Sequence, residues 1–470
     1  MNDKRSWLGA VLTAIVITSC AVGPDYHPPQ TKAPAAWSIT TDTTNNPNAL
    51  ITTNSPQLAQ WWQNFQDPVL TSLVRRALLT NLDVQLAEAS LRQARASRGI
   101  IAGRMWPGLT ATAGYARTGA GNASQNSFQA GLDALWELDI FGGIRRNIES
   151  ANATIQAAKE NIRDVQVTLV SEVALNYMQL RSNQEQIAIA QENLDAQQHT
   201  ATLTRQRLSA GFASSLDTAN AEAQVATTAS AIPVLNTALR QNIYALSVLL
   251  AHPPAALLEE LAQPGSVPLT PPDVPIGLPS NLLRRRPDVR AAEAQLHAAT
   301  AQIGVAKADF FPKFSLTGSL NYQSDLLRTL FSGGNRAWSV GPQVSWPILQ
   351  GGSIASNVRL QKALNDQAYL TYQKTVLTAL QDVENALIAF ANEWDHRKAL
   401  SEADIQNRRA LDLSMKLYTQ GTADFLTVLV AERSLYTSQT ALAQSKLAIS
   451  TDLVALYKAL GGGWDENIPN

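Results

Sequence analysis

Several things that would mark a compact enzyme are missing from this chain of 470 residues. It has one cysteine, Cys20, which excludes an intrachain disulfide. Aromatic residues make up only 6% of it. Alanine is abundant, and that balance favours long, closely packed helices over a bulky core. Neither sign of charge dominates, since 37 Lys and Arg stand against 38 Asp and Glu. Bulk electrostatics therefore give no reason to expect nucleic acid as a partner. Beyond Cys20 no apolar run reaches the roughly 20 residues of a membrane-spanning helix. The 5 histidines (His27, His199, His252, His297, His396) lack metal-ligand spacing. No Gly-rich phosphate loop or nucleophile elbow occurs. We expect no catalytic residues, no metal and no cofactor.

The N-terminus carries the first positive signal. Lys4 and Arg5 precede an apolar run, Trp7–Ile17, and then Thr18-Ser19-Cys20. The run is too short to span a bilayer and reads as a secretory signal peptide, residues 1–19. A cysteine directly after small residues resembles a bacterial lipobox. Its thiol would take a diacylglycerol and become an acylated N-terminus, and two or more acyl chains anchor a protein stably. Ala21 after the cysteine, rather than Asp, fits transit to an outer membrane.

Proline and glycine are absent where they would matter most. Ile144–Ala210 and Ser353–Gln420 contain neither. At 1.5 Å per residue each stretch predicts a helix about 100 Å long. The two stretches belong to an internal duplication with a period of about 205–210 residues, far longer than solenoid repeats. Asp83 corresponds to Asp288, Glu88 to Glu293, Pro107 to Pro312, Trp136 to Trp346 and Ala221-Glu222 to Ala431-Glu432.

The expected order follows from this repeat. An extended, lipidated segment covers 20–66. The first repeat, 67–261, holds a helix from Asp67-Pro68 to about Arg104, a strand pair (108–138), a long helix (144–210) and a partner helix (215–250) that Pro233 should kink. A Pro-rich connector covers 262–280. The second repeat, 281–464, holds a helix, a strand pair (313–347), a long helix (353–420) and a partner helix (424–460), with a tail at 465–470. Arg284-Arg285-Arg286 reads as a solvated helix start.

The strand pairs alternate apolar and polar residues. Leu109, Ala111, Ala113 and Tyr115 share one face, as do Phe128 to Trp136, Phe314 to Tyr322 and Trp338 to Trp346 at every second position. About ten residues suffice for a tilted transmembrane strand. Four such strands do not close a barrel, and an open edge in lipid leaves backbone groups unsatisfied. Several chains must therefore pool their strands, and larger barrels hold an open lumen.

At this point a resemblance is plain. Gly277-Leu278-Pro279-Ser280-Asn281-Leu282-Leu283-Arg284-Arg285-Arg286-Pro287-Asp288-Val289-Arg290-Ala291-Ala292-Glu293, then Gln302–Ala308 and Phe310-Phe311-Pro312, resemble the TolC-like outer-membrane efflux factors, of the lipoprotein branch serving resistance-nodulation-division (RND) pumps. Trp338–Gly352 and Phe425-Leu426-Thr427-Val428-Leu429 extend the match. The resemblance implies an α+β membrane protein: a homotrimeric twelve-stranded β-barrel, four strands per chain, continued by a long α-helical barrel. It implies a periplasmic adaptor, an inner-membrane RND transporter and outer-membrane lipid as partners, with no nucleic acid. The implied function is passive exit of small molecules such as drugs. The outer-membrane component of a type I protein secretion system, and a non-transporting scaffold lipoprotein, stay open as alternatives.

The resemblance also places a gate. The turns around Gly211 and Gly421 correspond to adaptor-facing tips where the tunnel closes. Asp217 matches a gate position, and Tyr418 matches a tyrosine that holds the closed tip. Carboxylate rings at such positions tune cation selectivity. The second half departs from the pattern, with Thr427 and Val430 where relatives carry aspartates and Asp424 displaced nearby. A narrower, less acidic constriction is expected. For Asp217 and Asp424, helix capping is the competing role.

Overall fold

The computed structural model describes residues 21–30, 34–38, 51–52, 58–121, 123–268, 274–275 and 279–464. Cys20, the segment 1–19 and the tail 465–470 lie outside the described residues. The helices are α1 (Pro68–Thr80), α2 (Leu82–Gly103), α3 (Gly143–Ser209), α4 (Ser215–Leu249), α5 (Leu258–Leu261), α6 (Pro279–Arg285), α7 (Pro287–Ala308), α8 (Ser353–Thr419) and α9 (Phe425–Ala459). The strands are β1 (Ile51–Thr52), β2 (Gly108–Ala120), β3 (Ala123–Leu138), β4 (Val274–Pro275), β5 (Lys313–Ser324) and β6 (Arg336–Ser345). The duplication is metrically close. Helices α2 and α7 both have 22 residues, α3 and α8 both have 67, and α4 and α9 both have 35. Pro233 lies within α4 without ending it.

The chain divides into two compact units. One comprises Met1–Thr31, Glu88–Asn161 and Asp288–Thr375; the other Lys32–Ala87, Ile162–Pro287 and Val376–Asn470. The first holds the antiparallel sheet, in the order β2-β3-β5-β6. Its helical part packs through small residues, with Ala151, Ala153 and Ala157 buried on α3 and Ala292, Ala294, Ala301 and Ala306 buried on α7. Residues 21–30 lie on this unit. Arg146 donates to Asp25 (2.6 Å) and to the Val22 carbonyl (3.2 Å), and Tyr26 stacks on His297.

The second unit holds the main core. It is built from Trp61, Trp62 and Phe65, the inner face of α1, Tyr177 and Met178 of α3, Phe390 of α8, and Leu453, Val454 and Tyr457 of α9. Trp61 stacks on Tyr457 with ring centroids 5.1 Å apart. This corrects the reading of 20–66 as wholly extended, because Trp61–Phe65 forms a 3-10 helix and anchors the core. The connector 262–280 is likewise not bare chain. β4 pairs in parallel with β1, and α6 starts at Pro279.

The expected single helix from 67 to about 104 is broken at Asn81. Its carboxamide oxygen accepts from the Asp83 and Val84 amides, capping α2, while its nitrogen donates to the Leu249 carbonyl at 2.9 Å. The second repeat breaks in the same place, at Arg286. That guanidinium donates to the Ala459 carbonyl at 3.1 Å and to Asp382 at 3.0 Å. Leu249 and Ala459 are the last residues of α4 and α9. Two chemically different side chains thus satisfy the same orphan carbonyl at the end of each partner helix. Arg285 lies over the buried Trp464 ring. The arginine run is therefore largely structural, not a freely solvated helix start.

Candidate functional site

Two regions carry functional geometry, the sheet in the first unit and the helix ends around Gly211 and Gly421 in the second. In the sheet, the register puts all four alternations in phase. Leu109 pairs with Ala134, Ala134 with Gly318, and Gly318 with Val340; Ala111 pairs with Leu132, Leu132 with Leu320, and Leu320 with Trp338. Leu109, Tyr115, Leu132, Leu316, Trp338, Val340 and Val344 therefore share one face, and all are exposed. The opposite face carries Thr110, Thr112, Asp133, Gln129, Ser319, Asn321, Ser339 and Gln343 in the same rows. Leu135, paired with Thr317, is an apolar exception there. The strands run 13, 16, 12 and 10 residues, so they reach or exceed bilayer length. β2 and β6 each keep one edge without a partner among the described residues.

The foot of the sheet is fastened identically in both repeats. The indole of Trp136 donates to the Met105 carbonyl at 2.9 Å, and that of Trp346 to the Phe310 carbonyl at 3.0 Å. Each acceptor lies two residues before the proline that ends its helix. An amphipathic indole with one polar contact suits a membrane boundary.

At the other site, Gly211 (φ +77°) and Gly421 (φ +79°) end α3 and α8 in the left-handed conformation that glycine adopts without strain. The closing bonds repeat as well. Phe212 N–H donates to the Arg207 carbonyl at 2.8 Å and Thr422 N–H to the Leu417 carbonyl at 3.0 Å. The caps that follow are inverted. Ser214 caps α4, accepting from the Asp217 amide, and the Asp217 carboxylate accepts from the Ser214 amide and hydroxyl. Asp424 caps α9, accepting from the Thr427 amide (3.1 Å) and hydroxyl (2.7 Å). The Thr427 hydroxyl bond, ahead of the amide, holds the Asp424 carboxyl below its ordinary pKa. Both aspartates do the capping work offered as their alternative role, and both stay exposed enough to meet solvent.

Tyr418 is 3% exposed. Its ring meets Phe425 edge-to-face at 5.7 Å and lies under the Arg207 guanidinium at 4.5 Å. Its hydroxyl has no hydrogen-bond partner among the described residues. Around it pack Ala201, Ala221, Val428 and Leu429. Val430 points away from this cluster and is exposed, as are Phe212, Leu216 and Leu426. Sequence reasoning missed Arg207, Phe425 and Glu432 as members of this region. The pairing of Ala221-Glu222 with Ala431-Glu432 was visible, but not that Glu432 alone is buried.

Comparison with known proteins gives these features their context. A family model described as outer membrane efflux protein matches the chain twice, over residues 73–252 and 278–462. The chain is 34% identical over 474 residues to the pyoverdine export outer membrane protein OpmQ of Pseudomonas aeruginosa, covering 98% of this chain and 97% of that protein. It is 32% identical over 458 residues to nodulation protein T of Rhizobium leguminosarum bv. trifolii, covering 96% of each. The solved outer-membrane channel OprN superposes with a TM-score of 0.85 at 36% identity, over 95% of this chain and 100% of that one.

A duplicated strand pair and paired long helices, in this order, define a TolC-like outer-membrane channel. The chain belongs to the outer membrane efflux protein family, and its function is that of an outer-membrane exit channel for efflux.

Proposed function

We propose that three copies of this chain close one twelve-stranded barrel, and that the assembly is the exit duct of a tripartite pump. The observation that carries this is the sheet. It has four strands of membrane-spanning length, one in-phase apolar face and two edges unpartnered among the described residues. Lipid tolerates no open edge, so the edges must pair with other copies. Three copies give a barrel wide enough for a lumen, while two give eight strands, which side chains fill. The 67-residue helices, each about 100 Å long by their rise, suit a duct that continues into the periplasm.

Below the duct we place a periplasmic adaptor at the tips around Gly211 and Gly421, and an RND transporter that selects cargo. Relatives include proteins named for pyoverdine export and toluene efflux, which supports small molecules as the cargo class. The subunit performs no chemistry in this reading. Cys20 carries the lipid that holds it to the outer membrane. Asp217, Asp424, Thr427 and Val430 line the constriction, and Tyr418 holds it shut from behind.

The test is the mass of the detergent-extracted assembly together with conductance in planar bilayers. A trimer that conducts supports the reading. A monomer or dimer, or a trimer that passes no current with its tips opened, overturns it. Intact mass of the membrane form tests the anchor: it should begin at Cys20 with acyl chains, and Cys20→Ser should lose them.

A further inference from the structure

Helices α3 and α9 pack antiparallel in the second unit, and two polar pairs cross between them seven residues apart on each helix. Asn193 donates to Gln439 at 2.6 Å, and seven residues on, Thr200 meets Glu432 at 2.7 Å. Farther from the tip, eight residues away on α3 and seven on α9, Lys446 and Glu185 form an ion pair at 2.5 Å. A seven-residue repeat of this kind is how coiled coils fix register. The Asn193–Gln439 rung is neutral and satisfied, because the Asn193 amide has two hydrogens and gives the other to the Ile189 carbonyl at 2.8 Å.

The Thr200–Glu432 rung does not balance in that way. Thr200 Oγ1 lies 3.1 Å from the Ala196 carbonyl and 2.7 Å from Glu432 Oε1. A hydroxyl has one hydrogen to donate, and two acceptors claim it. Both contacts are full hydrogen bonds only if Glu432 carries a proton and donates it to Thr200, leaving the threonine hydrogen for Ala196. The surroundings agree. Glu432 is 6% exposed. Five cations of the elements around the tip are engaged elsewhere: Arg433 with Gln224 (2.8 Å), Arg205 with Glu222 (2.8 Å), Arg207 with the Tyr418 ring and the Thr419 carbonyl, Lys416 with Asp412 (2.6 Å), and Arg408 with Asp404 (3.8 Å), while Arg409 is exposed. His199 is exposed and contacts the Asp195 carbonyl. Among the acids nearby, Asp404 has one buried oxygen without a partner, which offers no compensation to a second carboxylate. One turn from Thr200, both amide atoms of the buried Gln197 are unpartnered among the described residues, so its amide makes no hydrogen bond to Glu432.

We propose that Glu432 is carried as the neutral acid in the packed tip and acts as a proton-linked lock, holding α3 and α9 together while protonated and loosening them when ionised. This rests on reading the tip as the part of the duct that opens. Burial raises the Glu432 pKa, and the Thr200 contact opposes that only in part. A carboxyl raised in the folded state stabilises it fully below the ordinary glutamate value. That contribution is lost as pH rises through the raised value. Falling pH therefore tightens the tip and rising pH loosens it. The opening equilibrium changes tenfold for every factor of ten by which packing raises the proton affinity of Glu432.

Hydrogen exchange on the full-length assembly tests this, corrected for intrinsic pH effects and read on peptides 196–204 and 428–436. Protection of the wild type should fall about tenfold or more between about pH 5 and about pH 8. Glu432→Gln, which keeps the shape and stays neutral, should keep its protection at both. An unchanged pH dependence in the variant, or none in the wild type, overturns the proposal. Should the variant not assemble, infrared spectroscopy of wild type with labelled glutamate decides. A protonated carboxyl band persisting above the ordinary glutamate range supports the lock, and its absence refutes it. Exchange is read without any current, so failure of the lock and failure of the duct reading are separable.

Discussion

Tyr418 offers a sharp test of how the tip is held. The family resemblance casts this tyrosine as a residue that keeps the tip closed, and the obvious handle is its hydroxyl. The structure argues for the ring. The hydroxyl is buried and bonds to nothing among the described residues, whereas the ring packs on Phe425 and under Arg207. An edge-to-face aromatic pair contributes about 0.5–1.5 kcal/mol beyond its buried area. A cation over the ring adds about 0.5–2 kcal/mol. Removing a buried aromatic side chain altogether costs about 3–5 kcal/mol, while removing an unpaired buried hydroxyl costs nothing and relieves a desolvation penalty. Tyr418→Phe should therefore leave the tip as closed as the wild type, or more so. Tyr418→Ala should open it a hundredfold or more, since about 1.4 kcal/mol is a factor of ten. Arg207→Ala should fall between, at about tenfold. Single-channel recording of the assembled protein, scored as the fraction of time in the high-conductance state, separates the three. If Tyr418→Phe opens the tip as far as Tyr418→Ala does, the hydroxyl has a partner in the assembly and the ring argument fails.

Other expectations are more compact. Trp136→Phe and Trp346→Phe each remove one indole-to-carbonyl bond at the foot of the sheet; each should cost about 0.5–1.5 kcal/mol, and the double variant should lower the heat-dissociation temperature of the assembly by about the sum. A loss confined to one tryptophan would show that the repeats are not equivalent there. Val430→Asp adds a carboxylate to an exposed position and should raise cation preference in bilayer current measurements; unchanged selectivity would remove Val430 from the constriction. Asp452 has its pKa pushed up to about 6 by burial and then by the Glu393 charge. Its proton is thus held more tightly in the folded state, so thermal stability should decline as pH rises from the ordinary aspartate range through about 6. Asp452→Asn should flatten that decline, and an unaltered profile would assign it to another group.

Much of the architecture was legible because its signals are long. Stretches without Gly or Pro gave α3 and α8 within a residue of their ends, and period-two alternation put the apolar positions of the four long strands on one shared face. What stayed hidden depended on side chains meeting from distant positions. Asn81 breaks a continuous helical pattern because its side chain reaches both the α2 amides and the Leu249 carbonyl. No local pattern announces that, and Arg286, its counterpart, shares no chemistry with it. Trp61 and Trp62 looked like part of an irregular segment because their partners, such as Tyr457, lie almost four hundred residues away. At the tips the residue types were visible, but not which of them turn inward. Glu222 and Glu432 are the same residue at equivalent positions. One pairs with Arg205 at the surface, and the other is buried against Thr200.

The inverted caps explain why the second tip departs from the expected pattern. Ser214 and Asp217 in the first repeat correspond to Asp424 and Thr427 in the second. Each turn needs one acceptor for the amide three residues on and one group to bond back to it. A hydroxyl followed by a carboxylate satisfies that need, and so does a carboxylate followed by a hydroxyl. Capping therefore accommodates the carboxylate of each tip at either place, and exchange of the two costs the helix little. Along the axis the exchange shifts the negative charge by three residues, about one helical turn. In a closed ring of six tips, three of each kind, the result would be two offset tiers of charge in place of one. The displaced Asp424 is then a redistribution of acidity along the duct rather than a loss of it. On the proposed reading of these turns as the constriction, it would keep one capping carboxylate per tip at a different height, with Val430 exposed one turn beyond Thr427.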